Sequence, residues 1–517
     1  MWAASTPPPR RYRSAAVVAA LLAPVLGMAF APGPLGAIAG RHRPAPLVEH
    51  WHIDWSGTAQ RLIPAPLAPG TPGASGAGLT GVPSAPPGAL PVPPPVRRAP
   101  AAPPPPGPAV PAGAAVVATA GAPPGPPGAA ALAALIDAHL ADPRLAGTTV
   151  GLSLWADGLG EMARNADAPL TPASNQKLFT AMGVLSLLPQ TDTLVTEVRA
   201  AGPVDGRVLA GDLVLVGGGD PTLHARGPHS LDDLAGAVKA RGIAEVRGSL
   251  VGDESRYDSV RTAPGWLPQH VPVFIGPLSA LVVDRNQVRP DADYAANPLP
   301  GNLPYFRAAL LRAGVRVDGP NVAGAVPAGS AVVAALPSPP IGDLVGEMLN
   351  QSDNLIAELL VKEAGHRAAG AMPTPAPGST AGGLAAITDA VRRLGVPLAG
   401  VAADGSGLSR DDRRSAREWR TLLQAALPRP WAGRLVGSLP LGARTGTLAR
   451  RFAGTAAEAN VRAKTGWIDE ARSLSGYLTT AGGRHVVFSV IVNGTTPASP
   501  ALNALDSLVA AIAADRS

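Results

Sequence analysis

From about Pro64 to Pro127 the chain is written almost wholly in proline, alanine and glycine ("PAPLAPGTPGASGAGLTGVPSAPPGALPVPPPVRRAPAAPPPPGPAVPAG" and onward), with few charges and no apolar periodicity. Such a segment buries too little apolar side chain to offset the entropy of ordering it, so it has no packed core. Proline-rich chain is extended and semi-rigid at ~3.1 Å per residue, which lets this tract span up to roughly 200 Å. A spacer of that kind divides the molecule, and a compact fold must be built from the residues C-terminal to it. Folded sequence resumes near Ala129.

Upstream, Arg10, Arg11 and Arg13 precede an uncharged apolar run from Ser14 to Gly40, and "AFA" at Ala29 to Ala31 offers an A-x-A cleavage site. Residues 1–40 read as a secretory signal peptide or, since the run is long enough to cross a bilayer, as an N-terminal membrane anchor. Either way the rest of the chain is expected outside the cytoplasmic membrane. Residues 41–128 are assigned to the proline-rich linker. Within it "LVEHWHIDW" carries Glu49, His50, His52 and Asp54, which can be drawn as a metal cluster but read better as a small strand or a sticky peptide. The chain has no cysteine, so disulfides, thiolate metal sites and a cysteine nucleophile are excluded. Its net charge of +6 could favour anionic wall polymers, but positive charge written almost wholly as arginine over a large surface reads rather as a solvated face.

"AALAALIDAHL" reads as a helix, and "TTVGLSLWADGLG" alternates at Val150, Leu152 and Leu154 before an Asp157-Gly158 turn, the start of a hairpin. After "TPAS", Leu178, Met182, Leu185 and Leu188 recur at helical spacing and place Ser174 at a helix entrance. Residues 191–337 change character to short strand-like runs punctuated by glycine and read as an inserted β-rich region. A helical pattern returns through "IGDLVGEMLNQSDNLIAELLVKEA" from Ile341. Near the C-terminus "SLSGYLTT" and "RHVVFSVIVNG" are strands joined by an Ala481-Gly482-Gly483 turn, before an amphipathic helix from Pro500. Antiparallel strands with helices before and after predict an α+β layer fold, formed by residues 129–190 and 338–517 on either side of the β-rich region.

Of the 43 lysines and arginines only Lys177, Lys239, Lys362 and Lys464 are lysine. A guanidinium does not lose its proton in a protein, whereas burial or a neighbouring cation can make an ammonium neutral. Two of these lysines fall in short motifs: Ser174-Asn175-Gln176-Lys177 and, beyond Ser352-Asp353-Asn354, Lys464-Thr465-Gly466. Each motif alone is ordinary, the first a helix cap, the second a turn, the third a loop. Together they meet the needs of an activated serine. Its hydroxyl needs a base; a helix face brings residues three apart together, so Lys177 reaches Ser174; and Lys464 is a second cation that can hold Lys177 neutral by repulsion. The helix entrance aims backbone N–H groups at a reacting carbonyl, and a backbone N–H just past Gly466 on an edge strand supplies the other half of an oxyanion hole. Gly466 lets a substrate backbone approach closely.

In this order and with neighbours "LTPASNQKLFTA", "GDLVLVGGGDPTL", "GPLSALVVDRN", "LNQSDNLIAELL", "DGSGLSR" and "AKTGWIDEARSLSGYL", the motifs resemble the penicillin-recognising serine acyltransferases, specifically the low-molecular-mass class C penicillin-binding proteins, a D-alanyl-D-alanine carboxypeptidase/endopeptidase family. The resemblance runs from about Ala129 to the C-terminus and implies a penicillin-binding domain split by a large insertion. It implies Ser174 as acyl-enzyme nucleophile, Lys177 as general base, Ser352 as proton relay to the leaving amine and Asn354 as a holder of the substrate amide. Lys464 and Thr465 would bind the terminal carboxylate beside Gly466. Trp467 departs from the threonine that commonly comes after Lys-Thr-Gly in the family, which removes one hydroxyl partner for that carboxylate. The implied substrates are peptidoglycan stem peptides and the implied covalent inhibitors β-lactams; the N-terminal apolar run allows a peripheral or anchored membrane association beside them. No cofactor, metal or nucleic acid is called for.

A secreted serine β-lactamase uses the same motifs, but no Glu-x-x-x-Asn supplies its deacylating glutamate between the second and third: Glu358, Glu363, Glu418 and Glu458 are followed four residues on by Lys362, Arg367, Leu422 and Arg462. An esterase is disfavoured because no Gly-x-Ser-x-Gly occurs, and "VGGGDP" lacks the Gly-Lys-Ser/Thr of a phosphate loop. A non-catalytic wall-binding protein of the same fold is the reading from a different class.

Overall fold

The computed structural model describes residues 128–287, 296–372 and 376–517. The readings placed on residues 1–127, namely the export segment, the Glu49, His50, His52 and Asp54 group and the proline-rich tract, lie outside the described residues.

A five-stranded antiparallel sheet forms the frame, in the order Arg462–Ile468, Ala471–Thr479, His485–Asn493, Thr149–Ala156, Gly160–Arg164. The first and last helices, Ala129–Leu140 and Ala501–Ala514, cover one face, where Leu132, Ile136, Leu505, Leu508 and Ile512 meet Leu152, Leu154, Phe488, Val490 and Leu474. The other face receives helices Gln176–Leu187 and Ala416–Ala426 through Val487, Ile491 and Tyr477. His485–Asn493 is buried on both sides, which is why its sequence runs apolar without a break instead of alternating. Helices flanking an antiparallel sheet are the α+β arrangement expected from the strand and helix runs.

Two local expectations change. The helical pattern from Ile341 is interrupted: Ile341–Gln351 ends at Ser352, whose φ of 62° is left-handed, and Asp353 then caps a second helix, Asn354–Gly370, by accepting from Ile356 N at 2.9 Å. The break is the second motif itself. Residues 191–337 are also less purely β than their glycine spacing implied. They hold a five-stranded sheet of Asn321–Ala323, Leu250–Asp253, Asp212–Val216, Val195–Ala201 and Ala331–Pro337, and a four-stranded sheet of very short strands, but also helices Leu231–Ala240 and Leu299–Arg312.

This region is fastened to the helix Asn354–Gly370. Arg256 and Tyr257 bond Glu363, Lys362 pairs with Asp258, and Tyr257, Ile275 and Leu278 pack on Leu355 and Leu359. Behind that helix the helix Thr380–Arg392 approaches at backbone distance: a Cβ on Gly383 would lie 1.9 Å from Val361 O. Gly383→Ala is therefore expected to force the two helices apart and destabilise the fold by about 1–3 kcal/mol, the usual cost of overpacking. An unchanged urea midpoint would show that the helices do not meet there.

Candidate active site

Ser174 lies in a 3-10 turn, Ala173–Asn175, that leads directly into the helix Gln176–Leu187, one step earlier than the first α-turn expected. Through Thr171 to Thr180 every residue is buried except Ser174, which is half-buried. The turn is held open by the left-handed φ of 49° at Ala173 and tied to the sheet: Ser473 Oγ donates to Pro172 O at 2.6 Å, and Asn175 Nδ2 donates to Ser475 Oγ, itself 2.8 Å from Ser489 Oγ. Fixed polar bonds on both sides leave the serine hydroxyl few places to go.

Lys177 Nζ, fully buried, stands 3.1 Å from Ser174 Oγ and donates to Asn354 Oδ1 at 2.7 Å and to the carbonyl of Ser406 at 2.6 Å. The structure thus joins the first and second motifs in one contact set. The third arrives on the edge strand Arg462–Ile468, where Lys464 Nζ lies 2.9 Å from Ser352 Oγ and 2.8 Å from Thr465 O, and Thr465 Oγ1 is 2.8 Å from Thr447 Oγ1. Asn354 Nδ2 donates to the carbonyl of Phe274 at 3.0 Å. Gly466 also has a packing reason: a Cβ there would lie 2.1 Å from Ser473 Oγ and 2.7 Å from Pro172 O, so the bare backbone lets the strand close on the Ser174 turn. Trp467 is 62% exposed, with the Arg472 guanidinium 5.1 Å from its ring centre.

Burial depresses Lys177 to about 8, against the pull of Asp404, Asp353, Glu358 and Asp412. This corrects the repulsion expected from Lys464: loss of water outweighs the second cation. Lys464 is itself pushed well below the ordinary lysine value, first by burial and then by Lys177 and Arg451.

The loop from Asp404 to Ser409, within "DGSGLSR", has no chemical role that its sequence alone reveals. Three side chains of the helix Gln176–Leu187 take its carbonyls: Gln176 Nε2 reaches Asp404 O at 3.0 Å, Lys177 reaches Ser406 O, and Thr180 Oγ1 reaches Gly405 O at 2.7 Å. Its shape is set by Asp404, which accepts from Gly407 N at 2.6 Å and Ser409 N at 2.7 Å within the loop and from Trp266 Nε1 of the inserted region at 2.8 Å. Glu358 Oε1 accepts from Gly405 N and Ser406 N at 3.0 and 2.8 Å, and its carboxyl is raised to about 8 by burial and by Asp404. The signal in the sequence is the alternation of glycine with polar residues; the groups that this loop holds become visible only with the fold.

The sequence model described as the D-Ala-D-Ala carboxypeptidase 3 (S13) family matches residues 132–302 and 301–514. A D-alanyl-D-alanine carboxypeptidase of Actinomadura sp. (strain R39) is 33% identical over 447 residues, covering 71% of this chain and 81% of that protein. Penicillin binding protein 4 (dacB) of Haemophilus influenzae shares the fold, with a TM-score of 0.66 at 21% identity over 73% of this chain and 99% of that one. A second structure of that protein, complexed with a β-lactam, gives a TM-score of 0.59 at 21% identity over 73% and 98%.

Proposed function

The chain belongs to the D-Ala-D-Ala carboxypeptidase 3 (S13) family, and from that premise we propose that Ser174, Lys177 and Ser352 carry out its serine-type hydrolysis, with Asn354, Lys464, Thr465, Gly466 and Trp467 lining the substrate. The observation that supports this most is the buried Lys177 ammonium, 3.1 Å from Ser174 Oγ and lowered to about 8. A lysine so placed accepts the hydroxyl proton as Oγ attacks the carbonyl between the two D-alanines. The C–N bond then breaks as Ser352, backed by Lys464 at 2.9 Å, gives its hydroxyl proton to the departing amine and takes up in its place the proton that left Ser174, so that Lys177 is neutral again for the attacking water. Water cleaves the Oγ ester and restores the serine. The buried Lys464 ammonium, which burial leaves reluctant to be charged, gains its partner when the substrate carboxylate arrives.

The substrates proposed are peptidoglycan stem peptides, trimmed at the end or cut at a crosslink, and β-lactams are proposed to acylate the same serine. Residues 129–190 and 338–517 would form the catalytic part and 191–337 the insertion. Action outside the cytoplasmic membrane accords with the substrate and with the export segment at residues 1–40. Among the described residues no helix is long and apolar enough to cross a membrane, so the proposed anchor, if retained, falls upstream of them.

Mapping the penicillin ester by mass spectrometry alongside D-alanine release tests the reading; an ester on any residue but Ser174 sinks it. The pH profile tests the base. Lys177 must be neutral to accept a proton and sits near 8, so penicillin acylation is expected to rise with pH through about 8 and level above it. A profile flat from pH 6 to 9 would remove Lys177 from that role.

A further inference from the structure

We propose that Arg285, delivered from the inserted region, is a positioning residue for the catalytic site, holding Asp353 and through it the two side chains, Ser352 and Asn354, that touch the reacting lysines. Arg285 NH2 bonds Asp353 Oδ2 at 2.5 Å. The other oxygen, Oδ1, accepts from Ile356 N at 2.9 Å and starts the helix Asn354–Gly370. Asp353 thus fixes the chain between its neighbours: Ser352, left-handed and 2.9 Å from Lys464 Nζ, and Asn354, 2.7 Å from Lys177 Nζ.

The backbone that presents Arg285 is unusual. Asp284, Arg285 and Asn286 have φ of 45°, 61° and 53°, three left-handed residues in succession with no glycine among them. Aspartate and asparagine tolerate this region; arginine does not, and such a residue persists only where its surroundings over-determine it. Here they do. Asn286 is fully buried, donates to Pro277 O at 2.9 Å, and its Oδ1 accepts from Val283 N at 3.2 Å and Asn302 Nδ2 at 3.0 Å. Asp284 Oδ1 lies 3.0 Å from His224 Nδ1 and accepts from Ala225 N at 3.3 Å. Both flanking residues are bonded into the insertion, and the strained one between them points its guanidinium out to the second motif.

Arg285 also bears on the charge at Lys177. The groups facing that lysine are Asp353, the cap of the helix Asn354–Gly370, and Glu358 within it, Asp404 and Asp412 from the loop beyond it, and Lys464 from the edge strand; the four carboxyls favour its charged form. Arg285 pairs with Asp353, so its removal leaves that carboxylate uncompensated beside the base. The lysine is then harder to neutralise, and the acylation profile moves to higher pH. A residue that only stabilises the fold would lower the rate by one factor at every pH.

This inference rests on Ser174 as nucleophile and Lys177 as base. The experiment is the second-order rate of penicillin acylation from pH 6 to 10 for wild type, Arg285→Gln and Arg285→Lys, with the ester located in each. Arg285→Gln is expected to move the rising limb up by about one unit, a tenfold loss at pH 7 that shrinks to a few-fold above the limb, since one unit is tenfold in the neutral fraction. Arg285→Lys, which keeps the charge, is expected within about threefold of wild type. An unmoved limb with the ester on Ser174 overturns the role of Arg285 alone, whereas an ester elsewhere overturns the reading beneath it. Should Arg285→Gln not fold, Asp353→Asn decides: removing the carboxylate must move the limb to lower pH, and an unmoved limb overturns the link.

Discussion

Ser174→Ala is expected to abolish both penicillin labelling and D-alanine release, a loss on the order of 10⁴–10⁶ in rate, because the covalent route disappears and only binding and the polarised site remain. The fold should survive. Ser174 is the single half-buried residue in an otherwise buried turn, and among the described residues its hydroxyl has one bond, to Lys177 Nζ, while the bonds that hold the turn belong to Asn175, Ser473 and Ser475. Losing one such bond costs about 1 kcal/mol. Residual turnover together with an adduct on Ser352 would reassign the nucleophile; a large fall in melting temperature would mean that the hydroxyl is structural.

The features legible in the sequence and those hidden from it divide along a physical line. Lys177 and Lys464 stand out because lysine is scarce in a chain that otherwise uses arginine, and Ser174, Ser352 and Asn354 are picked out by spacing and order. These are local facts. The cause of the lysine's lowered basicity is not local: a second cation is visible in the sequence, but the burial that dominates is a property of the assembled helices, loop and sheet. The same holds for the helix Asn354–Gly370. Glu358, Lys362 and Glu363 are charged residues on one short run, yet all three are buried, each bonded by chain far away, at Gly405 and Ser406, at Asp258, and at Arg256 and Tyr257. Burying a charge is costly unless a partner is delivered to it, and no window of sequence shows the delivery. Ser473 and Ser475 are readable only as alternate positions on a strand; that their hydroxyls tether the Ser174 turn is a consequence of the register that sets Gly466 opposite Ser473 and Lys464 opposite Ser475.

Lys177→Arg is expected to slow penicillin acylation by ~10²–10⁴, the usual worth of a positioned general base, because a guanidinium keeps the charge but accepts no proton. The surroundings add to the loss. Lys177 Nζ fills a closed site against Ser174 Oγ, Asn354 Oδ1 and Ser406 O, and the larger fork has no room to keep all three contacts. Lys464→Arg should do less harm, about tenfold, since its expected work is to hold Ser352 and a substrate carboxylate, which a guanidinium partly supplies. The pH profiles separate the two roles more sharply than the rates. Lys464→Arg places a permanent cation beside Lys177 and should move the rising limb below 8, because like charges favour the neutral base. Lys177→Arg should lose the limb altogether, leaving nothing at that position to titrate. If Lys177→Arg acylates at the wild-type rate with the limb intact, or if Lys464→Arg is the more damaged of the two, the proton leaves Ser174 by another path and the assignment of the base is wrong.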